Sequence, residues 1–397
     1  MVLFKNHFNY LKIKFINMRN ELSVDILKER THERSEDIRG CYYRDETAII
    51  HSRPFRRLKH KTQVFFSPDN DHVCTRIEHV LHVASIAKTI CKGLKNRLEK
   101  KCELDEDLAY SIGLGHDLGH APFGHAGEDE LSRMLERKFC HEINSYRIVE
   151  KIDYNGKGLN LTYAVKDGII CHNGEKFEQS IKPDFTIKNL DKINDRTKYP
   201  LTWEGCIVRF SDKIAYLGRD IEDALVADFI KDADIPKNIK DKIGSNNSEI
   251  INHLILDLVA NSTENELSFS DECFSLLCDL RDYNYIQIYD NPKIKEYKKY
   301  CRRIISNIYM YLSELYSNNM WDIKFYRKSH MNVDKYFGRY IENMYDFYNT
   351  EKQVNNWKEG DLKKQILSDY ISGMTDKFAI DFMREISIPK PIEFKPY

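Results

Sequence analysis

The densest group of chemically reactive side chains in this 397-residue chain lies in residues 114–125. His116 and Asp117 are adjacent there, and His120 and His125 follow, with two glycines, a proline and a phenylalanine between them. A helix that ends in this segment, followed by a tight loop, would turn several imidazoles into one pocket. Neutral imidazole and carboxylate together suit a divalent transition metal such as Mn, Fe, Co, Ni or Zn better than calcium.

Two adjacent ligands do not complete a metal site, so further ligands must come from other helices. His79 lies four, seven and eleven residues before apolar side chains of one helical stripe, which places its imidazole on a buried face. A buried histidine that only fills a core is the alternative for His79. His82, three residues on, is a competing candidate ligand.

Asp212, Tyr216 and Asp220 follow one another at four-residue spacing beside an apolar stripe, so they share one face of a predicted helix. Such a face is either solvated surface or part of a site, and the spacing leaves both interpretations open.

Glu128 follows His125 by three residues, within reach on one helical turn. The pair resembles the base and orienting carboxylate found where imidazole handles protons. Acidic residues also stabilise the first turn of a helix, so Glu128 can act in capping, a role that is compatible with catalysis.

The elements that must position these residues are helices. Apolar residues recur at three- and four-residue spacing over long stretches and strand-like alternation is scarce, which predicts an all-α protein. The predicted helices cover about 76–98, 105–114, 126–138, 142–152, 203–230, 248–260, 290–317, 333–349 and 359–386. We expect an N-terminal segment over 1–39, a core over 40–230 and a helical C-terminal lobe over 231–397 that packs on the core.

Composition excludes several classes of protein. With 61 basic and 62 acidic side chains, the net charge of -1 gives no signature of a dedicated nucleic-acid-binding domain. No apolar run is long enough to span a membrane, and lysines interrupt the first seventeen residues, so we expect a cytoplasmic protein without a signal peptide. The ten cysteines form no C-x-x-C pair, which predicts reduced thiols and no zinc–cysteine site.

Taken together, the motifs resemble those of HD-domain phosphohydrolases, and more closely the deoxyguanosinetriphosphate triphosphohydrolases, which are related to the mammalian SAM-and-HD-domain dNTP hydrolase. The resemblance extends from about residue 40 to about residue 380 in the family's order. It is carried by residues 52–58, 61–65, 75–79, 114–128, 158–163 and 369–376.

The resemblance implies an all-helical HD bundle and a role for each matching residue. The implied ligands of a divalent metal (Mn, Fe, Co, Ni, Mg or Zn) are His79, His116, Asp117 and Asp212. The implied catalytic residues are His120, His125, Glu128 and His141. The implied substrate-binding residues are Gln63, Arg76, Lys213, Tyr216 and Asp220, of which Gln63 and Asp220 hold the sugar 3′-hydroxyl. Two departures from the family pattern, at 121 and 142–144, remove none of these residues.

The implied activity is metal-dependent hydrolysis of a dNTP, with dGTP favoured, to a deoxynucleoside and tripolyphosphate. It would serve control of the dNTP pool or antiviral nucleotide depletion. The family also implies a homo-oligomer (dimer, tetramer or hexamer) and an allosteric dNTP site.

Two other functions are the alternatives. One is an HD phosphohydrolase that acts on a nucleoside monophosphate or a signalling nucleotide. The other is a nucleotide-sensing module or a weak binder of single-stranded DNA. The basic patch that would bind DNA consists of Arg53, Arg56, Arg57, Lys59 and Lys61 near Phe55, Phe65 and Phe66.

Overall fold

A computed structural model of the protein describes residue 18 and residues 24–35, 37–64, 73–173 and 176–388. Residues 1–17 and the predicted patch members Phe65 and Phe66 lie outside the described residues. The described part is almost entirely helical, which confirms the all-α prediction. Its two strands, β1 (Ser180–Ile181) and β2 (Leu267–Ser268), form one short antiparallel pair.

The α-helices of the described part, in chain order, are α1 (Val24–Lys28), α2 (Cys41–His51), α3 (Arg53–Arg57), α4 (Arg76–Leu98), α5 (Glu106–Gly115), α6 (His125–Leu135), α7 (His141–Arg147), α8 (Asp153–Gly156), α9 (Tyr163–Ile170), α10 (Trp203–Val226), α11 (Lys237–Lys242), α12 (Asn247–Asn261), α13 (Asp271–Asn284), α14 (Pro292–Asn319), α15 (Ile323–Lys328), α16 (Asn332–Asn343), α17 (Tyr345–Val354), α18 (Glu359–Ser372) and α19 (Asp376–Ser387).

Helices α4, α5 and α10 pack against one another and form the centre of the bundle. Helix α4 begins where the Glu78 carboxylate accepts hydrogen bonds from the Thr75 backbone N–H (2.7 Å) and hydroxyl (3.1 Å). Close contact between α4 and α5 requires Gly113, because a Cβ there would lie 2.7 Å from the Ala84 Cα. The tight crossing brings the start of α4 and the end of α5 to one end of the bundle.

A second apolar cluster joins the C-terminal helices to α6. Leu131 and Leu135 of α6 pack with buried side chains of α14 and α16 to α19, whereas the first cluster runs from Met18 to Ile294. The loop before α6 therefore lies between the two cores. The predicted domain boundary at 230–231 stays a prediction.

Several helix predictions need correction. The stretches predicted as 333–349 and 359–386 are each two helices, interrupted at Met344 and at residues 373–375, where the Thr375 hydroxyl accepts from the Phe378 N–H and begins α19. Helix α9 was not predicted, because nearly all of its residues are buried and it has no polar face to produce a 3.6-residue period.

All ten cysteines are free thiols, and eight of them are buried. Among the helices that the structure describes, none combines the length and apolar character needed to cross a bilayer.

Candidate active site

Three helices bring the four predicted metal ligands together at one end of the bundle. His79 comes from the first turn of α4, His116 and Asp117 directly follow α5, and Asp212 lies on α10. The ligand atoms of His79, His116 and Asp212 lie within 4.8 Å of one another. His79 Nε2 is 3.0 Å from Asp212 Oδ1, and His116 Nε2 is 3.5 Å from Asp117 Oδ1.

The hydrogen bonds of His116 determine which of its nitrogens faces the cluster. A carbonyl oxygen only accepts, so the 2.7 Å contact with Gly113 O means that His116 Nδ1 carries the proton. His116 Nε2 is then an unprotonated acceptor, and it is buried with no hydrogen-bond partner among the described residues. Burial also lowers the pKa of His116, which keeps the ring neutral.

The two carboxyl groups of the cluster are ionised. Burial alone would raise the pKa of Asp117, but His120 and Arg76 outweigh burial and hold it well below its usual range. Burial would likewise raise the pKa of Asp212, but its hydrogen bond with His79 outweighs burial and lowers it. A neutral imidazole with an unused lone pair beside two carboxylates is a donor set that fits a divalent transition metal. His79 belongs to this donor set, whereas His82 is absent from it.

A second group of imidazoles surrounds Glu128, on the first turn of α6. The Glu128 carboxylate contacts His120 Nδ1 and lies 3.2 Å from His141 Nδ1. The rings of His120 and His141 stack with their centroids 3.8 Å apart. Burial alone would raise the pKa of Glu128, but the two histidines hold it well below its usual range. A single carboxylate thus orients two neighbouring rings.

The predicted pairing of Glu128 with His125 needs correction. His125 Nδ1 lies 3.9 Å from Glu128 Oε2, and the His125 side chain is 59% exposed at the edge of the cavity. His125 is the first residue of α6, whereas Glu128 faces inward, where His120 and His141 are nearer. Glu128 lies in the first turn of α6, as the capping interpretation expects, and its carboxylate is also engaged by these two histidines.

His172, which no motif singled out, completes this group. His172 Nδ1 donates to Ile169 O (2.6 Å), so its unprotonated Nε2 accepts the hydrogen bond from His141 Nε2 (3.3 Å). His141 therefore carries protons on both nitrogens and is an imidazolium. Burial opposes this charge, but Glu142 and Glu128 raise the pKa of His141 to about 10. The concentration of histidines in this part of the sequence was the available signal for His172.

Arg196, from the long loop before α10, is a second residue that the sequence analysis missed. Its guanidinium lies 3.0 Å from Glu142 Oε2 and 3.6 Å from Glu128 Oε2. The Asn173 side chain donates to the Arg196 carbonyl at 2.8 Å and holds the loop in place. No helical period marks a loop residue, so only the tertiary structure brings this cation to the site.

Gln63, Tyr216 and Asp220 line another side of the same cavity. Gln63 Oε1 and Asp220 Oδ1 are buried and have no hydrogen-bond partner among the described residues. The Tyr289 hydroxyl donates to Asp220 Oδ2, and burial raises the pKa of Asp220 to about 7. The helix face that carries Asp212, Tyr216 and Asp220 thus faces the cavity, and the solvated-surface interpretation is wrong.

The cavity has a volume of about 720 Å³ and contains most of the predicted site residues. Its charged and polar lining includes Gln63, Arg76, His79, Asp117, His120, His125, Glu128, Lys138, His141, Arg196, Asp212, Tyr216, Asp220, Tyr289 and Lys298. Arg76 donates to Asp117 Oδ2 at 2.6 Å. Four cations, Arg76, Lys138, Arg196 and Lys298, therefore border a space beside the metal-ligand cluster.

The structure does not bring Lys213 into this lining. Lys213 follows Asp212 by one residue, so it points about 100° away around α10. Its ammonium donates to Arg209 O (3.0 Å), and burial lowers its pKa to about 7.

The predicted basic patch also needs correction at Lys61. This side chain is buried, and its ammonium donates to the backbone carbonyls of His120 and Ser372 (2.8 Å to Ser372). Phe55 is buried as well, whereas Arg53, Arg56 and Lys59 are exposed.

Comparison with known proteins places the chain in a family. The HD domain model matches residues 76–217, which contain the four candidate ligands. A deoxyguanosinetriphosphate triphosphohydrolase-like protein of Caldanaerobacter subterraneus subsp. tengcongensis is 37% identical over 89% of this chain and 87% of its own length. Proteins of the same name are 34% identical in Clostridium tetani, over 90% of this chain and 88% of theirs, and in Clostridium perfringens (strain SM101), over 98% and 99%.

These matches cover about nine tenths or more of the chain. The protein belongs to the deoxyguanosinetriphosphate triphosphohydrolase-like family of HD-domain phosphohydrolases.

Proposed function

We propose that this protein hydrolyses deoxynucleoside triphosphates, with dGTP favoured, to a deoxynucleoside and tripolyphosphate. One observation carries the proposal: a single cavity holds a metal-ligand cluster, a set of cations, and two buried oxygens without partners, at Gln63 and Asp220. The names of the relatives supply the substrate class.

The reaction adds water to the α-phosphorus and breaks the bond from that phosphorus to the sugar O5′. The water oxygen stays on the tripolyphosphate, and O5′ gains a proton to become the 5′-hydroxyl. His79, His116, Asp117 and Asp212 would hold a divalent cation, which supplies Lewis-acid polarisation of a phosphate oxygen.

Cationic side chains counter the charge of the triphosphate. Arg76, fixed by Asp117, presents its remaining N–H donors to the cavity near the cluster, and the His141 imidazolium adds a fixed positive charge there. Arg196 extends this positive border beside His141, at 3.4 Å from its Nδ1. Donors that are already in place when charge redistributes need no reorganisation during the reaction.

We assign the handling of the reaction proton to the imidazoles that Glu128 orients. Glu128 fixes His120 and His141 through their Nδ1 atoms, so the opposite edges of both rings face Asp117, at 3.2 Å for His120 Nε2 and 3.8 Å for His141 Nε2. His125 lines the cavity from the start of α6 and meets the substrate from the solvent side.

The sugar end is assigned to Gln63, Tyr216 and Asp220. A 3′-hydroxyl would donate its one proton to one of the two buried oxygens, of Gln63 or Asp220, and a dideoxynucleotide does not supply this donor. Tyr216 lies on the helix face between Asp212 and Asp220, where it would crowd a 2′-hydroxyl.

The test is incubation of the protein loaded with Mn²⁺ with each dNTP, alone and in mixtures, and with GTP. Tripolyphosphate and deoxynucleoside in equal amounts support the proposal. Release of orthophosphate or pyrophosphate would indicate another HD phosphohydrolase reaction, and equal turnover of GTP and dGTP would contradict the assigned sugar contacts. Asp117→Ala should abolish turnover, and Asp381→Asn, an exposed carboxylate on α19, is the control.

Removal of dNTPs would serve pool control or antiviral nucleotide depletion. These roles, the homo-oligomer, the allosteric dNTP site and weak binding of single-stranded DNA stay predictions.

A further inference from the structure

We propose that Asp376, at the start of α19, is a positioning residue that holds two active-site segments in register. The segments are residues 61–63, which end in Gln63, and residues 120–125, which run from His120 to His125. The inference rests on the proposed function and assigns part of the catalytic geometry to the C-terminal helices.

Asp376 is buried, with 2% of its surface exposed, and its carboxylate binds both segments. Oδ1 accepts from the Phe123 backbone N–H at 2.8 Å. Oδ2 accepts from the Thr62 backbone N–H, also at 2.8 Å, and from the Thr62 hydroxyl. Hydrogen bonds to a buried carboxylate are among the stronger ones in proteins, so three donors on one group restrain the distance between the segments.

The Thr62 side of this contact leads directly to the metal-ligand cluster. Thr62 O accepts from Arg76 Nε (3.3 Å) and from a terminal Arg76 nitrogen (3.1 Å). The other terminal nitrogen of Arg76 donates to Asp117 Oδ2. A shift of the Thr62 peptide would therefore move Gln63, which is the next residue, and would disturb Asp117 through Arg76.

The Phe123 side of the contact holds a strained turn. Phe123 has φ of 64° and Gly124 has φ of 56°, so a non-glycine residue occupies the left-handed region immediately before α6. Glycine is favoured at 124 because its φ of 56° and ψ of -135° form a combination that residues with a Cβ rarely adopt. The turn sets the direction in which α6 begins, and hence the placement of His125 and Glu128.

Lys61 connects the 120–125 segment to the C-terminal helices through a second, independent pair of hydrogen bonds. Its buried ammonium donates to His120 O in the 120–125 segment and to Ser372 O at the end of α18. Helices α18 and α19 thus hold residues 120–125 at two points, one at each side of the loop. This arrangement makes the C-terminal helices part of the catalytic geometry.

The test compares Asp376→Asn with Asp369→Asn in the full-length, Mn²⁺-loaded protein. Asn keeps the size of the side chain but replaces one of the two accepting oxygens with an amide NH₂. The NH₂ group cannot accept a hydrogen bond from the Thr62 or Phe123 N–H group. Asp369 is a matched control on α18, because it is equally buried but binds Arg147 (2.9 and 2.8 Å) and Tyr348 (2.9 Å), none of which belongs to either segment.

We expect Asp376→Asn to lower kcat about 10- to 100-fold, since small misplacements of reacting groups have effects of this size. Its preference for a dNTP over the 2′,3′-dideoxy analogue should also fall towards one, because Gln63 moves with Thr62. Asp369→Asn should lower the Tm and leave both kcat and this preference within about twofold of the wild type.

Thr62→Val removes only the hydroxyl donor, and it is the variant to measure if Asp376→Asn fails to fold. We expect it to lose an intermediate part of kcat and of the preference for a dNTP over its dideoxy analogue. The inference is overturned if the Asp376 or Thr62 variant folds and keeps both wild-type values, or if Asp369→Asn shows the same losses. Absence of tripolyphosphate release by the wild type would instead contradict the proposed function.

Discussion

His172 Nε2 accepts a hydrogen bond from His141 Nε2 at 3.3 Å, and the proton between them belongs to His141. The direction follows from Ile169 O, which binds the only proton of the neutral His172 ring. Burial lowers the pKa of His172 well below its ordinary value, in agreement with a neutral ring. The pair places a fixed positive charge on His141 beside the metal-ligand cluster.

Replacing His172 tests this charge assignment. His172→Phe removes the acceptor of the His141 Nε2 proton, and we expect kcat to fall about tenfold, within the range of a lost hydrogen bond to a charged group. His172→Gln, whose amide oxygen can accept, should retain more activity. Nitrogen NMR of His141 should show both nitrogens protonated at pH 7 in the wild type. A singly protonated His141 would contradict the assignment.

The charge of the Glu128 carboxylate should be needed for catalysis. Glu128→Gln removes the charge shared by His120 and His141, and we expect kcat to fall about 10²-fold with a small change in KM. Glu130→Gln is the control on the same helix, because Glu130 pairs with Arg133 and lies outside the cavity lining. The double variant of His120→Ala and Glu128→Gln should be no worse than the more severe single change, because the two residues act as a unit.

Metal binding should depend on His79 and His116 and not on His82. At 100 times its Kd, a ligand that binds only the folded state stabilises it by about 2.7 kcal/mol. We therefore expect Mn²⁺ to raise the Tm of the wild type and of His82→Ala, and to have little effect on the Tm of His116→Ala. A full Mn²⁺ response in His116→Ala would show that the metal lies elsewhere.

Asp220 should make stability fall with rising pH. Its pKa is about 7 in the folded protein, above its ordinary value of 3.8, so between these pH values the folded state binds the proton that the unfolded state has released. Stability attributable to this group therefore decreases as pH rises from about 4 to about 7. Asp220→Asn removes the effect, and it should be more stable than the wild type by roughly 2–4 kcal/mol at pH 8. The difference should vanish near pH 4, and Asp381→Asn should show no such dependence.

Arg196 and Lys213 should differ in their effects on substrate affinity. Arg196→Ala removes a cation from the cavity, and we expect KM for a dNTP and the inhibition constant of tripolyphosphate to rise about tenfold, or roughly 1.4 kcal/mol. Lys213→Met, which replaces a buried ammonium outside the cavity lining, should leave both constants within about twofold. A larger effect at Lys213 than at Arg196 would contradict the placement of these two cations.

The helical class and the positions of the main helices followed from periodicity, because a helix such as α4 combines one buried face with an exposed polar face. Periodicity did not mark α9, which is buried on nearly every side. It also carried no information about Arg196, since a loop residue has no period.

The sequence by itself determined the all-α class and the order of the HD motifs, and the family resemblance that these motifs carry implied one metal site of His79, His116, Asp117 and Asp212. Only the tertiary structure decided that Glu128 serves His120 and His141, that His172 fixes the charge of His141, and that Lys213 faces away from the cavity. The physical reason is that side-chain spacing reports which face of a helix is buried. The proton and partner of each ring nitrogen, in contrast, depend on acceptors that lie on other elements of the fold.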